Sequence, residues 1–331
     1  MMLILIVKLS ALGDIIQTLP ALYSLKKAYP KAQIDWVTEE IGNKLLCDHP
    51  LVNQIIIYQR HNWPKNIKRA QWKQVIKEFM TFKRDLNKRY DMVIDFQGLL
   101  KSAFVTFLTN GKERIGFANS HEGSHLVLTK KFRANYDEPA VIRYLKLVQF
   151  AGIPVDFNDI RFPLPKAVEP DLEIKPPYIV INPIARWESK MWFKEKWTDL
   201  GKELASLGYK VVFSGKENNR SYINHICQSF NKGINLAGKT SLKSLISLYK
   251  KARLVISLDT GTMHLAAATG TPVIALFGPT APWRTGPWGK EHQVIYKNLH
   301  CQPCFKKDCP TRECLQRIEV KEVISTLRRY L

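Results

Sequence analysis

Eight short apolar runs recur along this chain, and between most of them lies enough sequence for a helix. "LILIV" (3–7), "QIDWVT" (33–38), "QIIIY" (54–58) and "DMVIDF" (91–96) occupy the first half. "YIVINP" (178–183), "YKVVFSG" (209–215), "LVISLD" (254–259) and "PVIALFG" (272–278) occupy the second. Runs of this length, bounded by turn residues, read as buried strands. Segments such as 18–29, 194–207 and 241–252 read as helices. Alternation of this kind gives parallel sheets with helices on both faces, so the fold class is α/β.

The pattern is interrupted once. Residues 163–177, "PLPKAVEPDLEIKPP", hold five prolines and read as a linker. The expected organisation is two doubly wound domains, 1–165 and 166–318, with 319–331 a helix crossing back to the first. In such sheets ligands bind beyond the carboxyl ends of the strands. The expected site is therefore a cleft between the two domains. No apolar run approaches the ~18 residues of a membrane helix. Nor does a basic n-region precede "LILIV", so a cytoplasmic protein is expected.

Charge is the unusual part of the composition. The net charge is +21, and residues 59–89 carry ten Lys/Arg against two acids. Within that stretch Trp72, Val75, Ile76, Phe79, Phe82 and Leu86 recur at helical spacing, giving an apolar face on a basic helix. Such a helix is either a solvated face packed on a core or a dock for an anionic surface. No helix-turn-helix, RNP or zinc-finger pattern supports nucleic acid, which leaves an anionic membrane or lipid.

Two corners carry the chemistry. In "KLSALGDIIQTLPAL" (8–22) a strand breaks into a Gly-Asp turn before a helix, so Asp14 either caps that helix or reacts. In "LVISLDTGTMHLAAATGTPVIALFGPT" (254–280) a strand ends at Asp259, Thr260-Gly261 turns, and a helix opens with His264 in its first turn. Free N–H groups and the helix dipole make that corner a cradle for a diphosphate, unless Asp259 or Thr260 merely caps it. "NPIARWESKMWFKEKW" (182–197) adds Arg186 and Lys190 after another strand. G-x-G-x-x-G, the P-loop pattern and G-x-S-x-G are all absent, which removes dinucleotide, P-loop and simple hydrolase readings.

"KLSALGDIIQTLPAL", "IDWVTEE", "IDFQGLLKSA", "ARWESKMW" and "SLDTGTMHLAAATGTPVIALFGPT" occur in that order and together resemble glycosyltransferase family nine. "IDFQGLLKSA" and "IDWVTEE" bring the chain nearest to its heptosyltransferase I branch. The resemblance implies a GT-B fold, two Rossmann-like domains around a central cleft. It implies inverting transfer of L-glycero-D-manno-heptose from ADP-heptose to Kdo of Kdo-lipid A, at the inner face of the cytoplasmic membrane. It implies that Asp14 is the general base. Arg186, Lys190, Glu217, Thr240, Asp259, Thr260, Gly261 and His264 fall on donor-binding positions. Arg186 stands where other members carry a threonine, Thr240 where they carry a methionine, and Ala281 where an aspartate is usual. Lys8, Gly13, Gln97 and Lys101 are expected near the acceptor sugar, with Lys65, Lys68 and Arg69 docking its anionic lipid. The donor requires no metal, since Lys190 and the helix corner can neutralise the diphosphate, and a divalent cation would be accessory. The alternatives within the family are a heptosyltransferase II or a protein heptosyltransferase. Outside catalysis the alternative is a nucleotide-sugar-binding protein at an anionic membrane.

Four of the six cysteines, Cys301, Cys304, Cys309 and Cys314, follow C-x₂-C-x₄-C-x₄-C. That spacing suits a structural zinc or iron held by four thiolates, or else four reduced thiols in one loop. Cys47 and Cys227 read as isolated packing residues.

Overall fold

Each of the eight apolar runs is a strand in the computed structural model, which describes residues 1–59, 71–120, 122–230 and 233–330. In the first half these are β1 (Leu3–Val7), β2 (Gln33–Thr38), β3 (Gln54–Ile57) and β4 (Met92–Asp95). In the second they are β7 (Tyr178–Asn182), β8 (Lys210–Phe213), β10 (Leu254–Leu258) and β11 (Val273–Leu276). Four more strands complete the sheets: β5 (Glu113–Phe117), β6 (Lys130–Phe132), β9 (Gly233–Asn235) and β12 (Gln293–Ile295). These four are short or polar, and three of them are edge strands, which need only one buried face.

The chain divides into two compact units, residues 1–166 and 167–331. The sheet of the first runs β3-β2-β1-β4-β5-β6 and that of the second β12-β11-β10-β7-β8-β9. Every ladder is parallel. Counted from its own first strand, each sheet has the doubly wound order 3-2-1-4-5-6, with its switch point between β1 and β4 or between β7 and β10. The register at the switch sets Val7 against Asp95 and Ile181 against Ile256, so the residues after these strands emerge together.

The first unit's helices are α1 (Leu12–Ala28), α2 (Glu40–Leu46), α3 (Trp72–Leu86), α4 (Leu100–Phe107) and α5 (Ala140–Phe150). The second unit's are α6 (Lys194–Ser206), α7 (Arg220–Cys227), α8 (Leu242–Lys251), α9 (Gly261–Ala268), α10 (Pro282–Thr285), α11 (Glu313–Gln316) and α12 (Val320–Leu327). Helix α1 begins earlier than the expected residue 18, because "LG" is already helical and Ala11 is its cap. Asp14 therefore lies in the first helical turn rather than before it. Residues 163–177 contain no helix or strand, as five prolines without N–H donors require.

In the first unit Leu5, Val7, Val37 and Val93 from the sheet pack with Phe82, Leu86 and Val105 from α3 and α4. The second unit's core joins Ile179, Ile181, Phe213 and Ile256 to the perpendicular pair Trp192 and Trp197, whose rings lie 4.7 Å apart. Helix α12 belongs to the second unit. Its Val323, Ile324 and Leu327 are an apolar face already spent in the second unit's core. Among the described residues, no helix is long and apolar enough to cross a membrane.

Candidate active site

The site in the first unit forms where β1 ends. Lys8 follows the strand, is almost fully buried, and donates to the Phe96 carbonyl at 3.0 Å and to the Tyr144 hydroxyl at 2.8 Å. Tyr144 comes from α5, which packs along α1, and its hydroxyl points to Asp14 Oδ1 at a longer 3.4 Å. Asp14 Oδ1 is also 4.0 Å from Lys8 Nζ, while the Asp14 side chain stays 43% exposed. Its Oδ2 accepts the Ala11 N–H at 3.1 Å. Asp14 thus does cap its helix, and does so while presenting a solvent-facing carboxylate.

The electrostatics follow from burial. Burial works against charge on Lys8, yet Tyr144, Asp14 and Asp95 outweigh it and hold its pKa above the ordinary lysine value. The Tyr144 phenol is pushed up chiefly by burial, against the pull of Lys8. A protonated lysine, a neutral phenol and a carboxylate therefore stand in one chain of contacts. The outer member, Asp14, is the one a substrate hydroxyl could reach.

The loop bearing Asp14 is braced from β4. Asp95 is buried at its end and accepts the N–H groups of Gln97 at 2.8 Å and Gly98 at 3.1 Å, and the Ser102 hydroxyl at 2.8 Å. Burial pushes the Asp95 pKa up, and those three donors oppose the shift. Gly98 sits at φ +64, where a side chain would be strained. This turn aims Gln97 Oε1 at the Ser10 N–H, 3.2 Å away. Lys101 then reaches the Ser10 hydroxyl and Glu39 Oε1, both at 2.7 Å. Lys8, Gln97 and Lys101, expected at the acceptor, are thus engaged within the protein around the Ser10–Asp14 corner. Gly13 lies beside Asp14 in the first turn of α1. Lys65, Lys68 and Arg69 lie outside the described residues.

The second unit presents the equivalent corner. Lys190 closes a short 3₁₀ turn after β7, is anchored by the fully buried Trp192 two residues on, and donates to Asp259 Oδ2 at 2.5 Å. Their side chains are 15% and 8% exposed. Thr280 Oγ1 donates to the same oxygen at 2.6 Å, and the Trp187 ring lies 4.5 Å from Lys190 Nζ. Asp259 leads into Thr260, the cap of α9, whose hydroxyl meets that of Thr262 at 2.9 Å. Helix α9 therefore opens at Gly261 beside an ammonium, the combination that attracts a phosphate oxygen. His264 is buried within the same helix.

The remaining expected donor residues flank this corner. Arg186 is exposed ahead of Lys190, and Thr240 is half-buried before α8. Glu217 lies against Gly238, where a Cβ would come within 1.8 Å of Glu217 Oε2, and pairs with Arg220 at 3.0 Å. Below them, buried Asn182 at the end of β7 accepts the Tyr249 hydroxyl at 3.0 Å and is also hydrogen-bonded by Ser214. Burial pushes the Tyr249 pKa up to about 12, so the phenol is a neutral strut.

Tyr144, Asp95, Glu39, Thr280 and Trp187 were not singled out from the sequence. Four of them lie inside or beside quoted motifs, and that adjacency was a usable signal. Tyr144 had none, because only the packing of α5 on α1 brings it to Asp14.

Cys301, Cys304 and Cys309 lie near enough to Cys314 to act on its thiol, and the four differ in burial. Cys314 is buried in the core with α11, Cys304 and Cys309 are half-buried, and Cys301 faces solvent. Among the described residues, no three His, Cys, Asp or Glu side chains form a group that could hold a metal. Burial, then the neighbouring thiols, push the Cys314 pKa up.

The family model described as glycosyltransferase family 9 (heptosyltransferase) matches residues 79–315. The chain is 31% identical over 329 residues to lipopolysaccharide heptosyltransferase 1 of Pseudomonas aeruginosa, covering 96% of this chain and 91% of that protein. It is 30% identical over 318 residues to the protein of the same name from Escherichia coli K12, covering 92% and 98%. The solved structure of E. coli heptosyltransferase WaaC with ADP matches with a TM-score of 0.83 at 27% identity over the full length of both chains.

Proposed function

This chain belongs to glycosyltransferase family 9, and from that premise we propose that it transfers heptose from ADP-heptose to Kdo of Kdo-lipid A in assembly of the lipopolysaccharide inner core. The observation that carries the reading is a matched pair of addresses. An exposed carboxylate stands past the switch-point strand of one sheet, and a cation with a helix N-terminus past that of the other. Relatives with this function match along nearly the whole chain, and one was solved with ADP.

Asp14 takes the proton from the attacking acceptor hydroxyl. The acceptor oxygen bonds to the anomeric carbon from the face opposite the diphosphate, and the bond from that carbon to the β-phosphate oxygen breaks. The configuration inverts and ADP departs. Lys8 and Tyr144 hold Asp14 in place and keep positive charge behind it. Lys190 and the amides at the start of α9 receive the charge that develops on the leaving diphosphate. Arg186 stands ready as an additional cation. Glu217 accepts hydrogen bonds from the adenosine. Gly13 lets the acceptor approach the Asp14 corner closely, while Gln97 and Lys101 fix that corner's shape. The first unit serves the acceptor and the second the donor. The acceptor is lipid-anchored, so the protein works at the inner face of the cytoplasmic membrane.

The test is incubation with ADP-L-glycero-D-manno-heptose and de-acylated Kdo-lipid A, followed by mass spectrometry of the acceptor. One added heptose on Kdo supports the proposal. Transfer only to heptosyl-Kdo-lipid A would reassign the acceptor, and no transfer to either would reject it.

A further inference from the structure

Helix α3 has more apolar surface than its core contact uses. At about 100° per residue, Val75, Phe79, Phe82 and Leu86 form one stripe, of which Phe82 and Leu86 are buried in the core. A second stripe, Trp72, Ile76 and Met80, lies beside it and faces solvent, each residue more than half exposed. Helix α4 adds a second such face. Its Leu100, Phe104 and Phe107 share one face and are exposed, and the Phe104 ring packs 6.5 Å from that of Phe79. Two helices of one unit, joined by the Phe79–Phe104 contact, thus each expose a face of large apolar side chains. Single exposed apolar residues are ordinary, but a ridge of this extent marks an interaction surface.

The charges beside the ridge identify the partner. Lys73, Lys77 and Arg84 follow the exposed apolar stripe around α3, and Lys83 projects from the stripe itself. Among the described residues Lys73, Lys77 and Lys83 have no carboxylate partner, whereas Arg84 pairs with Asp85 at 3.3 Å. The helix's two acids, Glu78 and Asp85, lie on the far side, where Glu78 takes the Gln74 amide at 2.7 Å. An apolar ridge flanked by unpaired lysines, on a chain of net charge +21, complements an anionic interface with an apolar interior. A protein partner would need an apolar groove ringed with acids. A phospholipid bilayer supplies both features at once.

We propose that the exposed faces of α3 and α4 insert into the headgroup region of an anionic phospholipid bilayer, with Ile76 and Phe107 as apolar anchors and Lys73 and Lys77 on the lipid phosphates. The proposal takes its purpose from the lipid-anchored acceptor proposed above. Its test uses vesicles without acceptor or donor, so its failure would leave the transferase reading standing.

The full-length protein is sedimented with phosphatidylcholine vesicles that do or do not contain phosphatidylglycerol. The wild type is expected to sediment with the anionic vesicles only, and less at high salt. Lys73→Glu/Lys77→Glu and Ile76→Ser/Phe107→Ser should each weaken that binding roughly tenfold or more. Their thermal midpoints should stay at the wild-type value, since all four side chains are exposed. If a variant fails to fold, the wild type's dependence on phosphatidylglycerol and salt still decides. Equal binding to both vesicle types, no binding to either, or unchanged binding by folded variants would overturn the proposal. So would a wild-type dimer in sedimentation velocity that Ile76→Ser/Phe107→Ser splits, since the ridge would then belong to a second copy.

Discussion

Lys190 has two possible callings, an ion pair with Asp259 and a contact with the donor's diphosphate, and one pair of variants separates them. Lys190→Met leaves the Asp259 carboxylate, 8% exposed, with Thr280 Oγ1 still donating at 2.6 Å. Removing one partner of a buried pair costs about 3–5 kcal/mol. Lys190 itself is 15% exposed, which favours the lower end of that range. A loss of about 3 kcal/mol in a unit of this size lowers its midpoint by about 6–12 °C. Adding Asp259→Asn removes the stranded charge and keeps an acceptor for Thr280, so most of that loss should return. Donor affinity should not return with it. Losing a charge-assisted hydrogen bond of about 1.5–3 kcal/mol weakens ADP roughly ten- to a hundredfold in both variants. Calorimetric melts and ADP titrations on the two proteins give both answers. A double variant no more stable than Lys190→Met would refute the ion-pair argument, and one that regained wild-type ADP affinity would refute the phosphate contact.

Three further outcomes are expected. Tyr144→Phe removes the acceptor at 2.8 Å from buried Lys8 and the donor nearest Asp14 Oδ1. It should lower stability by about 1.5–3 kcal/mol in denaturant melts and reduce kcat with ADP affinity unchanged. Gly238→Ala would drive a Cβ to 1.8 Å from Glu217 Oε2 at a φ of +76, so ADP titration should show roughly tenfold weaker binding. The third outcome concerns pH. His49 and His292 each accept a backbone N–H at Nδ1, from Leu51 and Val273, and face a carbonyl with Nε2, and Glu291 Oε1 also lies 3.1 Å from His292 Nε2, opposing the effect of burial there. Burial pushes both pKa values below the usual 6.5. The unfolded chain then binds more protons than the folded one, so stability is complete above about pH 6.5 and falls as pH drops below it. Each histidine contributes at most about 1.4 kcal/mol per pH unit, and His49→Ala should flatten the slope measured from pH 7 to 5.

The strands that build the switch points were legible because continuous Ile and Val runs have no other stable use. β6, β9 and β12 were not, because an edge strand such as "KKF" needs no apolar alternation, and the internal β5 was not because "ERIGF" opens with two charged residues. Asp14, Lys190, Asp259 and Gly261 could be picked out because each follows a strand in a turn, where polar side chains and glycine need a reason. Their partners were harder. Tyr144 reaches Asp14 across a gap in sequence that only helix packing closes. The family resemblance suggested that Lys8 lies near the acceptor sugar, and nothing in its sequence context showed what its ammonium contacts within the protein. In the structure that ammonium donates to Tyr144 and the Phe96 carbonyl. The outer stripe of α3 was read together with its inner one, since periodicity shows that a residue is apolar and not what it touches.

The most direct measurement is the rate of ADP release from ADP-L-glycero-D-manno-heptose with de-acylated Kdo-lipid A, wild type against Asp14→Asn. The asparagine oxygen can still accept the Ala11 N–H, so the helix cap and fold should persist. If Asp14 is the base, the variant binds ADP as the wild type does and loses ~10²–10⁴ in kcat. A folded Asp14→Asn protein that turns over within a few-fold of wild type would show that Asp14 only caps its helix, and would contradict the mechanism at its centre.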